Sequence, residues 1–321
     1  MSYDIIGDIH GHAHKLEGLL KKMGYRKRGG CWRHPTRFAI FLGDFIDRGP
    51  CQLRSVEIPR RMVAEGAALA VMGNHEFNAI AWHTPDPGQP REYLRPHCSK
   101  RWGSKNYRQH RRFLKELRRD AVKHADIISW FKTLPLWLEV DGIRIVHACW
   151  HQRFMDWLAP QLASGHLLPD GLLVSATHEP ETHDEKDDPA PSVFRAVEAL
   201  TKGLEVTIPP EHAFRDKDGI LRDRARVTWW KGGADTYRTG TDVPETVRSG
   251  LPDAPLPVHA RIAVPTDKPI FFGHYCRPGS PSLDSRHFAC VDFCAGKGGP
   301  LTAYCWDGET TLSAENFVSA G

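Results

Sequence analysis

The stretch "FLGDFIDRGP" (41–50) ends an apolar run with two aspartates three residues apart, Asp44 and Asp47, flanked by Gly43 and Gly49 and followed at once by Arg48. A charged turn closing a strand needs no more than one of these groups. Four other short runs close in the same manner. "YDIIGDIHG" (3–11) runs into Asp8 and His10, and "ALAVMGNHE" (68–76) into Asn74 and His75. "IRIVHA" (143–148) runs into His147, and "PIFFGH" (269–274) into His274. Each is a short, mostly apolar segment of the kind that forms a strand buried on both faces. The intervening "HAHKLEGLLKKMGY" (12–25) spaces Leu16, Leu19, Leu20 and Met23 at helical intervals and stops near Gly24, while "LRSVEIPRRMVAEG" (53–66) predicts a weaker helix, broken or kinked at Pro59. Strand alternating with helix implies an α/β core with parallel or mixed pairing, whose ligands bind beyond the carboxyl ends of the strands. That is where these Asp, His and Asn residues fall.

Five strand ends converging on such residues point to metal binding. Asp8 and His10, two apart, face one side in extended backbone and suit a single cation. Asn74, His147 and His274 suit a second, and Asp44 is the natural bridging carboxylate between the two groups. Imidazole with hard oxygen donors fits Mn²⁺, Fe, Zn²⁺, Co²⁺ or Ni²⁺, and the lack of thiolate argues against a structural zinc cage. Two ions about 3.5–4 Å apart can hold a hydroxide and clamp a phosphoryl oxygen during in-line attack.

Composition narrows the context. The chain has 321 residues, 40% of them apolar, enough for a substantial core. Its mean hydropathy of −0.45 and lack of a long apolar run argue against a membrane span, and the opening "MSYDIIGDIHG" has no signal-peptide pattern. Eight cysteines (31, 51, 98, 149, 276, 290, 294 and 305) are scattered without a CxxC pair, so most are expected to be reduced thiols in a cytoplasmic protein. The net charge of +4 is unevenly spread. Residues 91–119 carry eleven Lys and Arg against Glu92 and Glu116, whereas "EPETHDEKDDPAP" (179–191) is acidic. The first stretch serves either as a solvated helix face or as a rim for a polyanion, with Tyr93, Trp102, Tyr107 and Phe113 interleaved as possible stacking groups; the second reads as a solvated loop.

The expected organisation is one domain over 1–321, with a basic helical insertion at 82–134 and a cap or rim insertion at 151–258. Within the first, 106–134 predicts one or two helices. "VTWWKGG" (227–233) predicts a core or rim strand, and 287–296 with 300–309 a terminal hairpin or meander. Glu76 reads as a hydrogen-bonding support. His12, His14, His83 and His151 read as surface or supporting groups.

The ordered set "GDIHG" (7–11), "GDFIDRG" (43–49), "GNHE" (73–76), "HA" (147–148) and "GH" (273–274) resembles the phosphoprotein-phosphatase-type, calcineurin-like metallophosphoesterases. Within them the chain looks most like the bacterial diadenosine tetraphosphatase (ApaH) and PrpE-like branch, through "YDIIGDIHG", "TLPLWLEVDGIRIVHA" and "FFGHY…VDFCAGKGGPLTAYCW". The resemblance covers about 1–80, 135–150 and 268–308; "HACWH" departs from it, with Cys149 near a position usually held by glycine. It implies an α/β fold, a four-layer α/β/β/α sandwich of two mixed sheets, and two divalent metal ions, Mn²⁺ foremost. Asp8, His10 and Asp44 would bind one ion; Asp44, Asn74, His147 and His274 the other, with Asn74 also reaching substrate. His75 would be the general acid, Asp47 its orienting partner and Arg48 the phosphate clamp, with Arg224, Arg226 and Arg238 as candidates for a further phosphate contact. The implied activity is hydrolysis of phosphomonoesters or phosphoanhydrides by direct attack of a metal-bridging hydroxide. Two alternatives are a Ser/Thr or dual-specificity protein phosphatase and an inactive polyanion- or nucleic-acid-binding module. Expected partners are a phosphorylated small molecule, nucleotide or phosphoprotein, with a polyanion contact through 91–119 and no membrane.

Overall fold

The computed structural model describes residues 1–215 and 221–321; residues 216–220, inside the expected 151–258 insertion, lie outside the described residues. Two mixed sheets form its centre. In the first, Ser2–Ile6 pairs in parallel with Arg37–Phe41, which pairs in parallel with Ala68–Ala70. On the other side of Ser2–Ile6, Leu301–Trp306 and then Phe317–Ala320 add antiparallel. The second sheet sets Ile270–Phe272 between Phe288–Cys290 and Ile143–Val146, both parallel to it, with Trp137–Val140 antiparallel at one edge.

Alternation along the strands explains how the layers close. Tyr3, Ile5, Ile40, Leu42 and Val71 of the first sheet pack against Ile143, Ile145, Phe271, Ala289 and Val291 of the second, forming an apolar core between the sheets. Ile6, Ala39 and Phe41 point the other way, into a core shared with helices α1 (Ala13–Lys22) and α2 (Gln52–Ala64). Val146, Ile270 and Phe272 on the far face of the second sheet join the same larger cluster with Val197 and Leu200 of the helix Val193–Lys202. The four-layer α/β/β/α arrangement follows from these two faces. One buried charge sits on the helix side: Asp4 accepts hydrogen bonds from Tyr25 Oη (2.9 Å) and Arg37 Nε (2.8 Å), so its burial is compensated.

Several local expectations need correction. Helix α2 is continuous over 52–64 with Pro59 inside it; the ring lies on the buried face, where packing outweighs the lost backbone hydrogen bond. The stretches 287–296 and 300–309 do not pair with each other. Phe288–Cys290 belongs to the second sheet and Leu301–Trp306 to the first, and the hairpin is instead Leu301–Trp306 with Phe317–Ala320. The strand containing Val227 ends there, and Trp229 and Trp230 leave it to pack on Phe272. Asp8 and His10 also lie beyond the strand, and His10 is not in extended backbone. The strand stops at Ile6, and His10 and Gly11 take positive φ angles of 47° and 69°.

Beyond the strand of Ala68–Ala70, helix α3 (Asn74–His83) begins inside the "GNHE" motif. The basic segment forms two helices, α4 (Gly103–Leu117) and α5 (Ala121–Phe131), broken by left-handed Arg118 and Arg119 and restarted by Asp120, whose carboxylate caps Lys123 N–H at 2.9 Å. On α4 the residues Asn106, His110, Phe113 and Leu117 are buried at helical spacing, while Arg108, Arg111, Arg112 and Lys115 are exposed.

One disulfide joins Cys276 to Cys294, with Cα atoms 4.4 Å apart, and the other six cysteines are free. A single local bridge was not legible from the spacing, because the strands of residues 270–272 and 288–290 run parallel side by side and deliver both cysteines to the loops beyond the same end of the second sheet. No helix among the described residues is long and apolar enough to cross a membrane.

Candidate metal centre

The polar residues of the five motifs meet where the two sheets' parallel strands end. Glycines precede several of them for a steric reason. A Cβ at Gly73 would overlap Asp44 Oδ1, and one at Gly273 would overlap Asp8 Oδ1. The turn after Phe41 is tight as well: Asp44, Asp47 and Arg48 all have positive φ, at 52°, 72° and 63°. It is held by Glu76 from the next motif, whose carboxylate accepts the backbone N–H groups of Asp44 (2.7 Å), Phe45 (2.8 Å) and Gly73 (3.1 Å). Burial, then Asp44, pushes Glu76 up to about 8.

Asp44 occupies the middle. Its Oδ2 is 3.5 Å from His10 Nε2, and its Oδ1 is 3.5 Å from His147 Nε2. On the His147 side, Asn74 Oδ1 is 3.2 Å from His147 Nε2 and 3.0 Å from His274 Nδ1. Ligand atoms of Asp44, His147 and His274 lie within 4.8 Å of one another, as do those of His10, Asp44 and His75. The second trio contains His75 where Asp8 was expected. Asp8 stands slightly back, with Oδ2 4.0 Å from His10 Nε2 and both oxygens turned to the His274 backbone N–H (3.1 and 3.3 Å).

Two imidazoles have their tautomers fixed. His147 Nδ1 donates to the carbonyl of Leu42 at 2.6 Å and His10 Nδ1 to that of Ile46 at 3.2 Å, so Nε2 of each presents a lone pair to the centre. The electrostatics match a site built for cations. Burial alone would raise Asp44, but the imidazoles of His75, His147 and His10 hold it well below the usual carboxylate range. Asp8 is pushed well above it by burial, then by Asp292 and Asp44. Crowded buried carboxylates, aimed lone pairs and a buried His274 Nε2 without a hydrogen-bond partner fit two divalent ions. Asp8, His10 and Asp44 would hold one, and Asp44, Asn74, His147 and His274 the other.

His75 turns Nδ1 to Asp47 Oδ2 at 2.5 Å and Nε2 toward Asp44 Oδ2 at 3.8 Å. Burial opposes protonation of His75, but Asp44 and Asp47 win and its pKa is raised. Arg48 is exposed, and its side chain passes over Gly296 beside His10. The three further arginines separate clearly. Arg224 pairs with Asp187 (2.7 Å), and Arg238 with Asp253 (3.0 Å) and the Leu251 carbonyl (2.8 Å). Arg226 has no ion pair among the described residues, its Nε is buried without a partner, and its charge is the largest single-charge influence on His274.

Sequence reasoning missed several residues here. Asp292 is buried and accepts backbone N–H groups of Cys276 (2.8 Å) and Cys294 (2.9 Å), tying their loops together beside Asp8. Its signal was present: it follows the apolar run "FACV" as the motif residues follow theirs. Gln109, His110 and Glu116 of α4 also reach the site, and nothing in a basic helical segment marks them. Cys149 is fully buried, and burial pushes its thiol up.

Residues 1–206 match the model of the calcineurin-like phosphoesterase family, so the chain belongs to that family. The asymmetrical bis(5'-nucleosyl)-tetraphosphatase PrpE of Oceanobacillus iheyensis is 30% identical over 149 residues, 46% of this chain and 55% of that protein. PrpE of Halalkalibacterium halodurans is 42% identical over 76 residues, 23% of this chain and 31% of that one. The chain thus spans about half or less of the length of these relatives. A cold-active protein-tyrosine phosphatase of a psychrophilic Shewanella superimposes over 100% of this chain and 80% of its own, with a TM-score of 0.46 and 13% identity.

Proposed function

We propose that this protein is a two-metal phosphoesterase of the diadenosine-tetraphosphatase type, cleaving phosphomonoesters or phosphoanhydrides. The observation that carries the reading is Asp44, which offers one oxygen to the His10 side and the other to the His147 side at equal distance. Two divalent ions held there, Mn²⁺ foremost, would supply a nucleophilic water at neutral pH and neutralise charge on the phosphoryl oxygens.

The chain's own residues do the rest. Asp8, His10, Asp44, Asn74, His147 and His274 form the donor set, and Asn74 also faces the substrate oxygen. Arg48, beside His10, and Arg226, beside His274, are guanidinium groups without ion pairs among the described residues, suited to bidentate contact with phosphate oxygens. His75 protonates the leaving oxygen from Nε2, while Asp47 holds Nδ1–H and favours the protonated ring. Release of the leaving group therefore needs no covalent enzyme intermediate.

In this reading 1–321 is a single catalytic domain, 82–134 and 151–258 form its rim, and the exposed arginines of α4 favour a polyanionic substrate such as a dinucleoside polyphosphate. The working location in this reading is the cytoplasm, which six free cysteines favour and the Cys276–Cys294 bridge does not. A side-by-side assay of diadenosine tetraphosphate, a phosphopeptide and a cyclic phosphodiester at one Mn²⁺ concentration tests it. Highest kcat/KM on the dinucleotide supports the reading, and highest on the phosphopeptide replaces it with a protein phosphatase.

A further inference from the structure

Helix α4 does more than carry positive charge. Its Glu116 carboxylate accepts the backbone N–H groups of Gln52 (2.6 Å) and Leu53 (3.1 Å), capping the start of α2 from outside. The Gln52 side chain then closes the turn before it, accepting Asp47 N–H at 2.5 Å and donating to the Gly49 carbonyl at 2.7 Å. One and a half turns back along α4, fully buried His110 places Nδ1 3.0 Å from Asp47 Oδ2, the same oxygen that faces His75. The ring approaches off the line of its N–H, so neither His110 nitrogen nor Asp47 Oδ1 completes a hydrogen bond in this geometry, and a small rotation of the ring brings Nδ1–H onto Asp47 Oδ2. Gln109 adds a polar neighbour, its amide nitrogen 3.3 Å from His75 Nδ1 and its Oε1 accepting from Arg95 Nη2 at 2.6 Å.

We propose that His110 is a positioning residue for the phosphoesterase reaction, donating Nδ1–H to Asp47 Oδ2 and thereby fixing the carboxylate that orients His75. The proposal rests on the phosphoesterase reading above. A carboxylate held at a left-handed backbone position by one imidazole alone can swing about its side-chain torsions. With a second donor on the same oxygen, and Glu116 fixing the helix that brings it, Asp47 has a single orientation. The fixed carboxylate keeps His75 Nδ1–H engaged, so the opposite nitrogen, Nε2, stays aimed at the leaving oxygen, which matters most for a poor leaving group. Burial pushes His110 down, so the ring is neutral near pH 7 and carries one proton, which the contact with a carboxylate requires on Nδ1.

The effect is readable as a dependence on leaving group. His110→Leu is expected to lower kcat for phenyl phosphate about tenfold more than for p-nitrophenyl phosphate, whose leaving group needs little protonation, with KM unchanged. His110→Asn, whose amide nitrogen superposes on Nδ1, restores the wild-type ratio. Equal losses on both esters in His110→Leu, or an Asn variant no better than Leu, overturn the proposal. Because a buried substitution can destabilise the fold, a second measurement uses the wild-type chain. In metal-free protein labelled with ¹⁵N-histidine, the ring signals that disappear in His110→Asn are expected to be those of an Nδ1-protonated imidazole. An Nε2-protonated ring overturns the proposal whatever the variants do. A wild-type enzyme that turns over neither ester contradicts the phosphoesterase reading, and the tautomer still decides the contact.

Discussion

Asp47 Oδ2 lies 2.5 Å from His75 Nδ1, and the opposite nitrogen of the same ring faces Asp44 Oδ2 across 3.8 Å. One imidazole thus spans from an orienting carboxylate to the proposed bridging one. Its free nitrogen can only act toward the centre. Replacing His75 by Asn is expected to lower kcat about 100-fold or more for an alkyl phosphate and about tenfold for p-nitrophenyl phosphate. Steady-state kinetics on the two esters check this, and equal losses would remove the general-acid role.

Arg226 and Arg238 differ in what already holds them. Arg238 is committed to Asp253 and the Leu251 carbonyl, whereas Arg226 faces His274 without an ion pair among the described residues. Arg226→Ala is expected to raise KM for p-nitrophenyl phosphate about tenfold, the scale of one charge-assisted contact. Arg238→Ala is expected to leave it within about twofold. The reverse order would move the phosphate contact to Arg238.

Stability should fall on mild acidification for a local reason. His151 caps the helix Gln152–Leu158 by accepting Phe154 N–H at its Nδ1 (3.3 Å), and burial lowers its pKa to about 4 from the ordinary 6.5. The unfolded chain binds this proton more readily. The contribution is therefore whole above pH 6.5, declines below it and is lost as pH falls through about 4. Denaturant midpoints between pH 7 and 4 are expected to drop less steeply in His151→Asn, which keeps a capping oxygen that does not titrate. Identical slopes would show that another group governs the loss.

The Cys276–Cys294 bridge ties the loop after His274 to the loop after Asp292 across a separation of 18 residues. Closure of a loop this size contributes about 3 kcal/mol. Cys276→Ser is expected to lower Tm by several degrees and to abolish the response of Tm to dithiothreitol. Titration of eight free thiols in native protein kept without reductant would contradict the bond.

The sequence carried most of the fold and most of the polar residues that meet at the candidate centre, because buried parallel strands make dense apolar runs and the candidate ligands stand at their ends. Asp44, His147 and Asn74 could be placed by that rule alone. What it hid depends on tertiary approach. The backbone turns after Ile6, so Asp8 and His10 converge through a left-handed loop and not through strand geometry. The strand of residues 288–290 joins a different sheet from that of residues 301–306, because its apolar residues fit beside Ile270–Phe272, a partner distant in sequence. His110 and Glu116 were invisible within a basic helix, whose charge pattern describes its solvent face and says nothing of the two residues turned inward.

The central claim is that Asp44 joins two cation sites into one catalytic centre. Titrating chelator-treated protein with Mn²⁺, while following bound metal by mass spectrometry and p-nitrophenyl phosphate turnover in the same samples, tests it most directly. Activity is expected to appear as the second equivalent binds and to be lost in Asp44→Asn together with tight binding of both ions. Full turnover in the metal-free protein, or with a single equivalent bound, would contradict it.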